Sequence, residues 1–251
     1  IMPFTAAHPA IILPLLRSRY FSATGLIIGS ISPDFEYFLK MSVDDTHGHT
    51  VAGLIYFDLP VTIFLAWLFH VVVKKNLIGN LPLYFQRRSQ ELLEFDFVSY
   101  IKNNGRVFLI SALVGASSHV FWDSFTHNNT YFTRTLPFYE GTYVPYDGVK
   151  YPLFYALQYI STGLGLTVMV IYILAIKPSP MRVSSTPQVI YWITVLTILA
   201  AIVWIRFLAF PGDDNEGNLV VSIVSGLVLS LVCCGLINFK NTTRQQGSLN
   251  G

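Results

Sequence analysis

The segment His119-Val-Phe-Trp-Asp123-Ser-Phe-Thr-His127 sets two imidazoles and one carboxylate at intervals of four residues. On a helix, positions i, i+4 and i+8 drift by only about 80°, so all three share one side. Imidazole and carboxylate together suit zinc and neighbouring divalent ions. The bland alternative is an ion pair between Asp123 and one of the two histidines.

Four further histidines and several carboxylates bear on this reading. Asp34 follows Ser32-Pro33 at the end of an apolar stretch. It is a candidate metal ligand, or else a helix cap after the proline. Glu36 is a candidate general base or ligand one turn on. In Asp44-Asp45-Thr46-His47-Gly48-His49-Thr50 the histidines are two apart, which lets both face an ion only from a loop. His47 is preferred as ligand, and His49 as second ligand or proton-transfer group. Asp44 and Asp45 read as a solvated cap, with Thr46 or Thr50 satisfying helix-end amides. His8 precedes Pro9, which is well placed to begin a helix and fix the imidazole. His70 sits apart from the others, near the cytoplasmic end of its span, and reads as snorkelling or packing. Cys233 and Cys234 are adjacent in an apolar run, which fits neither a disulfide framework nor a cysteine zinc site.

A divalent ion would make hydroxide available near neutral pH and polarise a phosphoryl or carbonyl oxygen. Among the proton carriers, Glu36, His49 and Asp123 are the catalytic candidates. The ligand candidates are His8, Asp34, His47, His119, Asp123 and His127, enough for one to three ions, with zinc favoured. Arg134 and Arg206 are candidates to meet a substrate phosphate. Asp58 lies inside an apolar run and should face the bundle, because a lone carboxylate in lipid is costly. There it would support a histidine, pair with a cation such as Arg206, or line a pathway.

These groups need a scaffold, and the composition says which. Of 251 residues, 53% are hydrophobic and 12% charged, about half the charge content of a soluble domain. The chain reads as an integral membrane protein, all-α, a single membrane domain over residues 1–251. Val51–Val73, Tyr151–Ile176, Val189–Phe210 and Leu219–Phe239 are each long enough to cross a bilayer as a helix. Val107–Phe125 is a fifth span that carries the histidine–aspartate motif near its end. Pro9–Leu16 and Phe21–Ile31 are short and separated by Arg17, Ser18 and Arg19. They predict either two more crossings, about seven in all, or five crossings plus a re-entrant N-terminal hairpin. Residues 77–104 mix Arg87, Arg88, Glu91 and Glu94 with leucine and phenylalanine, and read as an interfacial or cytoplasmic helix. The tail from Asn241 reads as frayed. No basic stretch precedes the first apolar run, so no removable signal peptide is expected.

Charge placement orients the spans. Arg17, Arg19, Lys74, Lys75, Arg87, Arg88, Lys102, Arg106, Lys177, Arg182, Lys240 and Arg244 fall on one side if the spans alternate, and the positive-inside rule makes that side cytoplasmic. Asp44, Asp45, Glu140, Asp147, Asp213, Asp214 and Glu216 fall outside, as do His8, His47, His49, His119 and His127. The N-terminus and the metal site are then external and the C-terminus cytoplasmic. A net charge of +2 without a basic tract gives no support for a nucleic-acid partner.

The opening Met2-Pro-Phe-Thr-Ala-Ala-His-Pro9 resembles that of an uncharacterised bacterial membrane-protein family, the family of unknown function numbered 4184. Gly29-Ser-Ile-Ser-Pro-Asp-Phe-Glu-Tyr37, Thr46-His47-Gly-His-Thr50, Phe57-Asp58-Leu-Pro60 and Gly115-Ala-Ser-Ser-His119 through His127 fit its pattern too. That family is distantly similar to membrane-bound metal-dependent hydrolases of the YdjM type, which are compared with helical zinc phospholipases C and single-strand-specific nucleases. The resemblance implies a bacterial inner-membrane protein in which His8, Asp34, His47 and the His119–Asp123 pair match ligands of a phosphoester-cleaving zinc cluster, with His127 beyond that pair. The further His-xxx-Glu element of the soluble enzymes has no counterpart after His127. The leading expectation is a membrane-embedded hydrolase acting on a phospholipid or lipid-linked phosphate. A transporter for a metal ion or small anion, and a noncatalytic scaffold with a structural metal, are the alternatives. The sequence carries no sign of the oligomeric state.

Overall fold

The structure is a computed structural model that describes residues 5–44, 46–179, 189–212 and 215–239. Asp45, Arg182, Asp213, Asp214, Lys240, Arg244 and the tail from Asn241, named above, lie outside the described residues, as do Met2 to Phe4 of the opening motif.

The described chain is mostly helical. A 3-10 helix, Thr5–Leu15, comes first, followed by α1 (Ala23–Gly29) and α2 (Phe35–Lys40). A loop then leads into the long helix α3 (Leu54–Asn80). Two short helices, α4 (Leu83–Arg88) and α5 (Gln90–Glu94), precede α6 (Phe97–Thr126). After α7 (Tyr131–Thr135), strands β1 (Tyr143–Tyr146) and β2 (Val149–Pro152) form an antiparallel hairpin. Helices α8 (Leu153–Ala175), α9 (Val189–Ala209) and α10 (Glu216–Leu236) complete it.

Five of these stretches are long and apolar enough to cross a membrane: α3, α6 with α7, α8, α9 and α10. Their outward side chains include Ile193, Leu196, Trp204 and Leu208, which are more than half exposed and suit contact with lipid rather than water. The N-terminal pair is another matter. The 3-10 helix has 11 residues and α1 has 7. At about 2.0 and 1.5 Å per residue neither covers a hydrocarbon core of about 30 Å. Pro9 and Pro14 remove backbone donors from the first helix, and Ser30 ends the second.

Two expectations need correction. The fold is not wholly α-helical, because Asp147-Gly148 turns a hairpin in which both residues have positive φ, 48° and 73°. That pair favours a tight two-residue turn whose twist matches the flanking strands. Residues 77–104 are also not one helix. Pro82 breaks the backbone after α3, and Ser89 and the Phe95–Asp96 junction separate α4, α5 and α6.

Contacts divide the chain into two compact units, Ile1–Ala66 with Ser99–Ile176, and Trp67–Val98 with Lys177–Gly251. In the first, α1 lies against α6 with backbone on backbone. A Cβ at Gly29 would strike the Ala112 carbonyl, and one at Gly115 the Leu26 carbonyl. Small residues permit this approach, which matters in lipid because packing replaces the hydrophobic drive between helices. The Ser22 N–H donates to Ser111 Oγ at 2.8 Å, tying the start of α1 to α6. The 3-10 helix packs on α8, where Gly165 meets Ala7.

In the second unit, Tyr191, Val195, Cys234 and Phe239 are buried together between α9 and α10. The Asn76 side-chain amide donates to the carbonyls of Cys234, Gly235 and Ile237, which closes the end of α10. His70 stacks flat on Phe97 with ring centroids 4.5 Å apart, the packing role its isolation suggested.

Candidate metal centre

The close contact of α1 with α6 brings the Ser30 carbonyl to His119. His119 Nδ1 lies 2.8 Å from that oxygen, which can only accept. Nδ1 therefore carries a proton, so a neutral His119 presents the lone pair of Nε2. His119 has no exposed surface, and its ring stacks on His8 at 3.7 Å. One turn further along α6, Asp123 projects on the same side, as the four-residue spacing predicts.

Asp34 occupies the N-cap position of α2, yet its side chain makes no capping bond. Its Oδ1 is turned instead towards the histidines. The loop before α3 supplies His49. Glu36 organises that loop: its carboxylate accepts from Thr46 N, Thr46 Oγ1, His47 N and Gly48 N, all at 2.8–2.9 Å, and from Lys40 Nζ at 2.8 Å. Gly48 lies so close to the Pro33 carbonyl that a Cβ there would strike it. Thr50 Oγ1 accepts from Gly53 N at 2.9 Å, the helix-end service expected of it. Pinned in this way, His49 turns inward and His47 turns outward.

Four atoms converge: Asp34 Oδ1, His49 Nε2, His119 Nε2 and Asp123 Oδ2. His49 Nε2 is 3.4 Å from each carboxylate oxygen, and His119 Nε2 is 3.4 Å from Asp34 Oδ1 and 3.2 Å from Asp123 Oδ2. The two nitrogens are 3.3 Å apart. An ion about 2.0–2.1 Å from four tetrahedral ligands requires those ligands to be about 3.3–3.4 Å from one another. Five of the six edges thus have the length of a tetrahedral zinc-type site, and the sixth, between the carboxylate oxygens, is within 4.8 Å. The charges agree with the distances. Two carboxylates buried among neutral imidazoles need two positive charges, which one divalent cation supplies. The donor set fits zinc and neighbouring divalent ions.

Among the described residues outside the membrane-spanning stretches, Asp34 and Glu36 have displaced pKa values. Burial pushes Asp34 up, but without an ion a protonated His119, and hydrogen bonds from it and from His49, outweigh burial and hold the carboxyl well below the usual range; a bound cation would take over that role and leave the imidazoles neutral. Burial also raises Glu36, and its bonds from Lys40, Gly48, His47 and Thr46 again win, leaving it below its ordinary value.

The remaining site candidates surround the cluster or stand away from it. His8 Nε2 donates to Asp123 Oδ1 at 2.9 Å, so His8 orients the carboxylate whose other oxygen faces the histidines. His127 Nδ1 is 3.2 Å from the Asp123 main-chain carbonyl and 3.6 Å from its Oδ1, which places this imidazole at the rim. His47 is exposed, with Nδ1 2.9 Å from the Tyr56 hydroxyl, and does not join the four atoms. Glu36 spends its carboxylate on the loop backbone and Lys40 rather than on the cluster. Arg134 is exposed on α7, its Nε 3.4 Å from the Thr130 carbonyl. Arg206 belongs to the other unit, where its guanidinium lies 4.6 Å over the Phe210 ring. Asp58 is fully buried in the first turn of α3, and neither oxygen has a hydrogen-bond partner among the described residues.

Sequence reasoning missed Ser30, whose part is played by a main-chain carbonyl and leaves no mark in residue type. It also missed Gln158, buried on α8 with Nε2 3.5 Å from His127 Nε2. An amide inside an apolar span was the available signal.

No curated protein and no solved structure matches the chain. One family model does, over residues 2–236, and covers every residue of the cluster, so the chain belongs to the family described as a domain of unknown function (DUF4184).

Proposed function

We propose that this protein is a membrane-embedded metal-dependent hydrolase that cleaves a phosphoester in a phospholipid or lipid-linked headgroup. The observation that carries the reading is the convergence of Asp34 Oδ1, His49 Nε2, His119 Nε2 and Asp123 Oδ2, buried or half-buried and within 4.8 Å of one another. A divalent ion held there supplies Lewis acidity towards a phosphoryl oxygen and lowers the pKa of water to near neutrality.

The chain's own residues do the rest. His119 keeps its lone pair on the cluster because Ser30 holds its proton. His8 fixes Asp123 and carries a proton at Nε2. The open side is that of His49 and His127, whose side chains are 18% and 27% exposed, against at most 7% for Asp34, His119 and Asp123. Substrate approaches from there, and His127 stands where it can exchange a proton with a leaving oxygen. The apolar surfaces of the long helices favour a substrate already in the bilayer. The motif likeness to membrane-bound metal-dependent hydrolases supports the reaction class, and the charge asymmetry of the loops supports an external site in a bacterial inner membrane.

A structural-metal reading has one observation in its favour: four protein side chains converge, the ligand number of closed zinc sites. The two readings part on removal of the ion. Purified protein should carry near-stoichiometric metal and hydrolyse a phosphodiester probe in mixed micelles. His119→Ala and Asp123→Asn should lose both metal and turnover. Folded metal-loaded protein with no turnover on any phosphoester headgroup would leave the structural reading.

A further inference from the structure

The chain beyond the metal centre ends in a hairpin whose two faces differ. Residues directly opposite one another on antiparallel strands share a face. Tyr146 pairs with Val149 and Val144 with Tyr151, so one face carries Val144, Tyr146, Val149 and Tyr151. The other carries Tyr143, Pro145, Lys150 and Pro152. Tyr146 is 74% exposed and Val149 51%, while Tyr151 is half-buried. A two-stranded hairpin is marginal in water on its own. A face built wholly of valine and tyrosine marks a surface that something covers.

Two observations say what the cover is. First, the hairpin is the direct extension of a helix long and apolar enough to cross a membrane. Strand β2 runs through Pro152 into Leu153, where α8 begins, and the Leu153 N–H donates to the Thr142 carbonyl at 3.1 Å. A crossing α8 leaves the hairpin at the bilayer surface. Second, the aromatic face continues onto that helix. Tyr151 stacks on Tyr155 with ring centroids 5.7 Å apart, and Tyr155 meets Tyr159 edge-on at 5.4 Å. Tyrosine joins an apolar ring to a polar tip and suits the layer between hydrocarbon and water. The segment before the hairpin is also fastened to the open side of the metal centre. Thr130 Oγ1 and Thr133 Oγ1 each donate to the His127 carbonyl at 3.0 Å, and the Tyr139 hydroxyl donates to the Phe125 carbonyl at 2.7 Å.

We propose that the face of Val144, Tyr146, Val149 and Tyr151 lies in the headgroup layer of a phospholipid bilayer, with Pro145 and Lys150 turned to water. Resting there, the hairpin fixes the depth of His127 and of the open side of the centre relative to the lipid phosphates. The docking itself does not depend on the hydrolase reading; its bearing on a headgroup substrate does.

The test uses full-length protein with Cys233→Ser and Cys234→Ser, in nanodiscs of phosphatidylcholine and phosphatidylglycerol, which leave both bilayer surfaces open to solutes. A nitroxide is attached at Val149→Cys or at Lys150→Cys, neighbours on opposite faces. Its collisions with oxygen, which partitions into lipid, and with a water-soluble nickel chelate are read by electron paramagnetic resonance. The oxygen-to-nickel ratio should be several-fold higher for Val149→Cys than for Lys150→Cys. Equal ratios, with the chelate reaching both labels, would put the hairpin in water and overturn the proposal. Exclusion of both reagents from the Val149→Cys label, with dipolar broadening between labels, would put a second copy on that face and overturn it too. Wild-type protein gives an arm that needs no variant to fold. A phospholipid with a photoreactive diazirine in its headgroup should crosslink to residues 143–151 on illumination, and adducts confined to the long helices would contradict the docking. No arm reads turnover, so failure of the hydrolase reading would leave these outcomes unchanged.

Discussion

The Ser30 carbonyl decides which nitrogen of His119 faces the cluster, and His8 decides how Asp123 is turned. Both effects predict graded consequences. His119→Ala removes a ligand and should abolish metal retention through dialysis, read by metal analysis. His8→Ala removes only an orienting partner and should weaken affinity about 10–100-fold, read by competition with a chelating dye. His47→Ala should leave affinity unchanged and stability within about 0.5 kcal/mol, because the side chain is exposed and bonded only to Tyr56. That last contrast marks the limit of what the sequence discloses. His119 and Asp123 could be read as facing one way because helical spacing sets their direction. The spacing led to a preference for His47 over His49, whereas His49 is the one that turns inward, because the choice depends on Glu36, 10 to 12 residues upstream of the amides it binds, and on Gly48 lying against Pro33. Ser30 acts through its main chain, so no choice of side chain could have revealed it.

At the scale of elements, the centre depends on α1 pressed against α6 and on the loop held by Glu36. Gly29→Ala would push a methyl group into the Ala112 carbonyl, and should cost about 1–3 kcal/mol of stability and lose metal with it. Gly105→Ala is the control: it follows the kink at Asn104 in α6, has open space around its Cβ position, and should change stability by no more than about 0.5 kcal/mol. Thermal unfolding in detergent, with metal analysis of each variant, separates the two. Glu36→Gln keeps the shape but removes the charge from an enclosed acceptor, and should destabilise by about 1.5–3 kcal/mol while lowering metal affinity through His49. The long helices were legible because lipid requires long apolar runs with internal backbone bonding. The hairpin carried a readable Asp147-Gly148 signal that the apolar pattern around it masked. The N-terminal 3-10 helix was harder to foresee, since Pro9 and Pro14 sit inside a run that otherwise reads as ordinary helix. Residues 77–104 mislead in the same way: their charges and leucines suggest one amphipathic helix, but Pro82 and Ser89 divide it.

For the whole molecule, five helices among the described residues are long and apolar enough to cross a membrane. Were all five to cross, the two ends of the sequence would lie on opposite sides. With the basic loops inside, a reporter fused after Gly251 should be cytoplasmic, and a cysteine at Thr142 should react with an impermeant maleimide in intact cells once Cys233 and Cys234 are replaced by serine. Reaction only after lysis would reverse the orientation and put the metal centre on the cytoplasmic side. The central claim is more local than the topology: two imidazoles and two carboxylates from α6, α2 and the loop before α3 are gathered to bind one ion. An anomalous-difference map of zinc-soaked crystals, collected on both sides of the zinc edge, addresses it most directly. The predicted result is a peak about 2.0–2.1 Å from Asp34 Oδ1, His49 Nε2, His119 Nε2 and Asp123 Oδ2. The contradicting result is no peak among those four atoms in protein whose fold is otherwise intact.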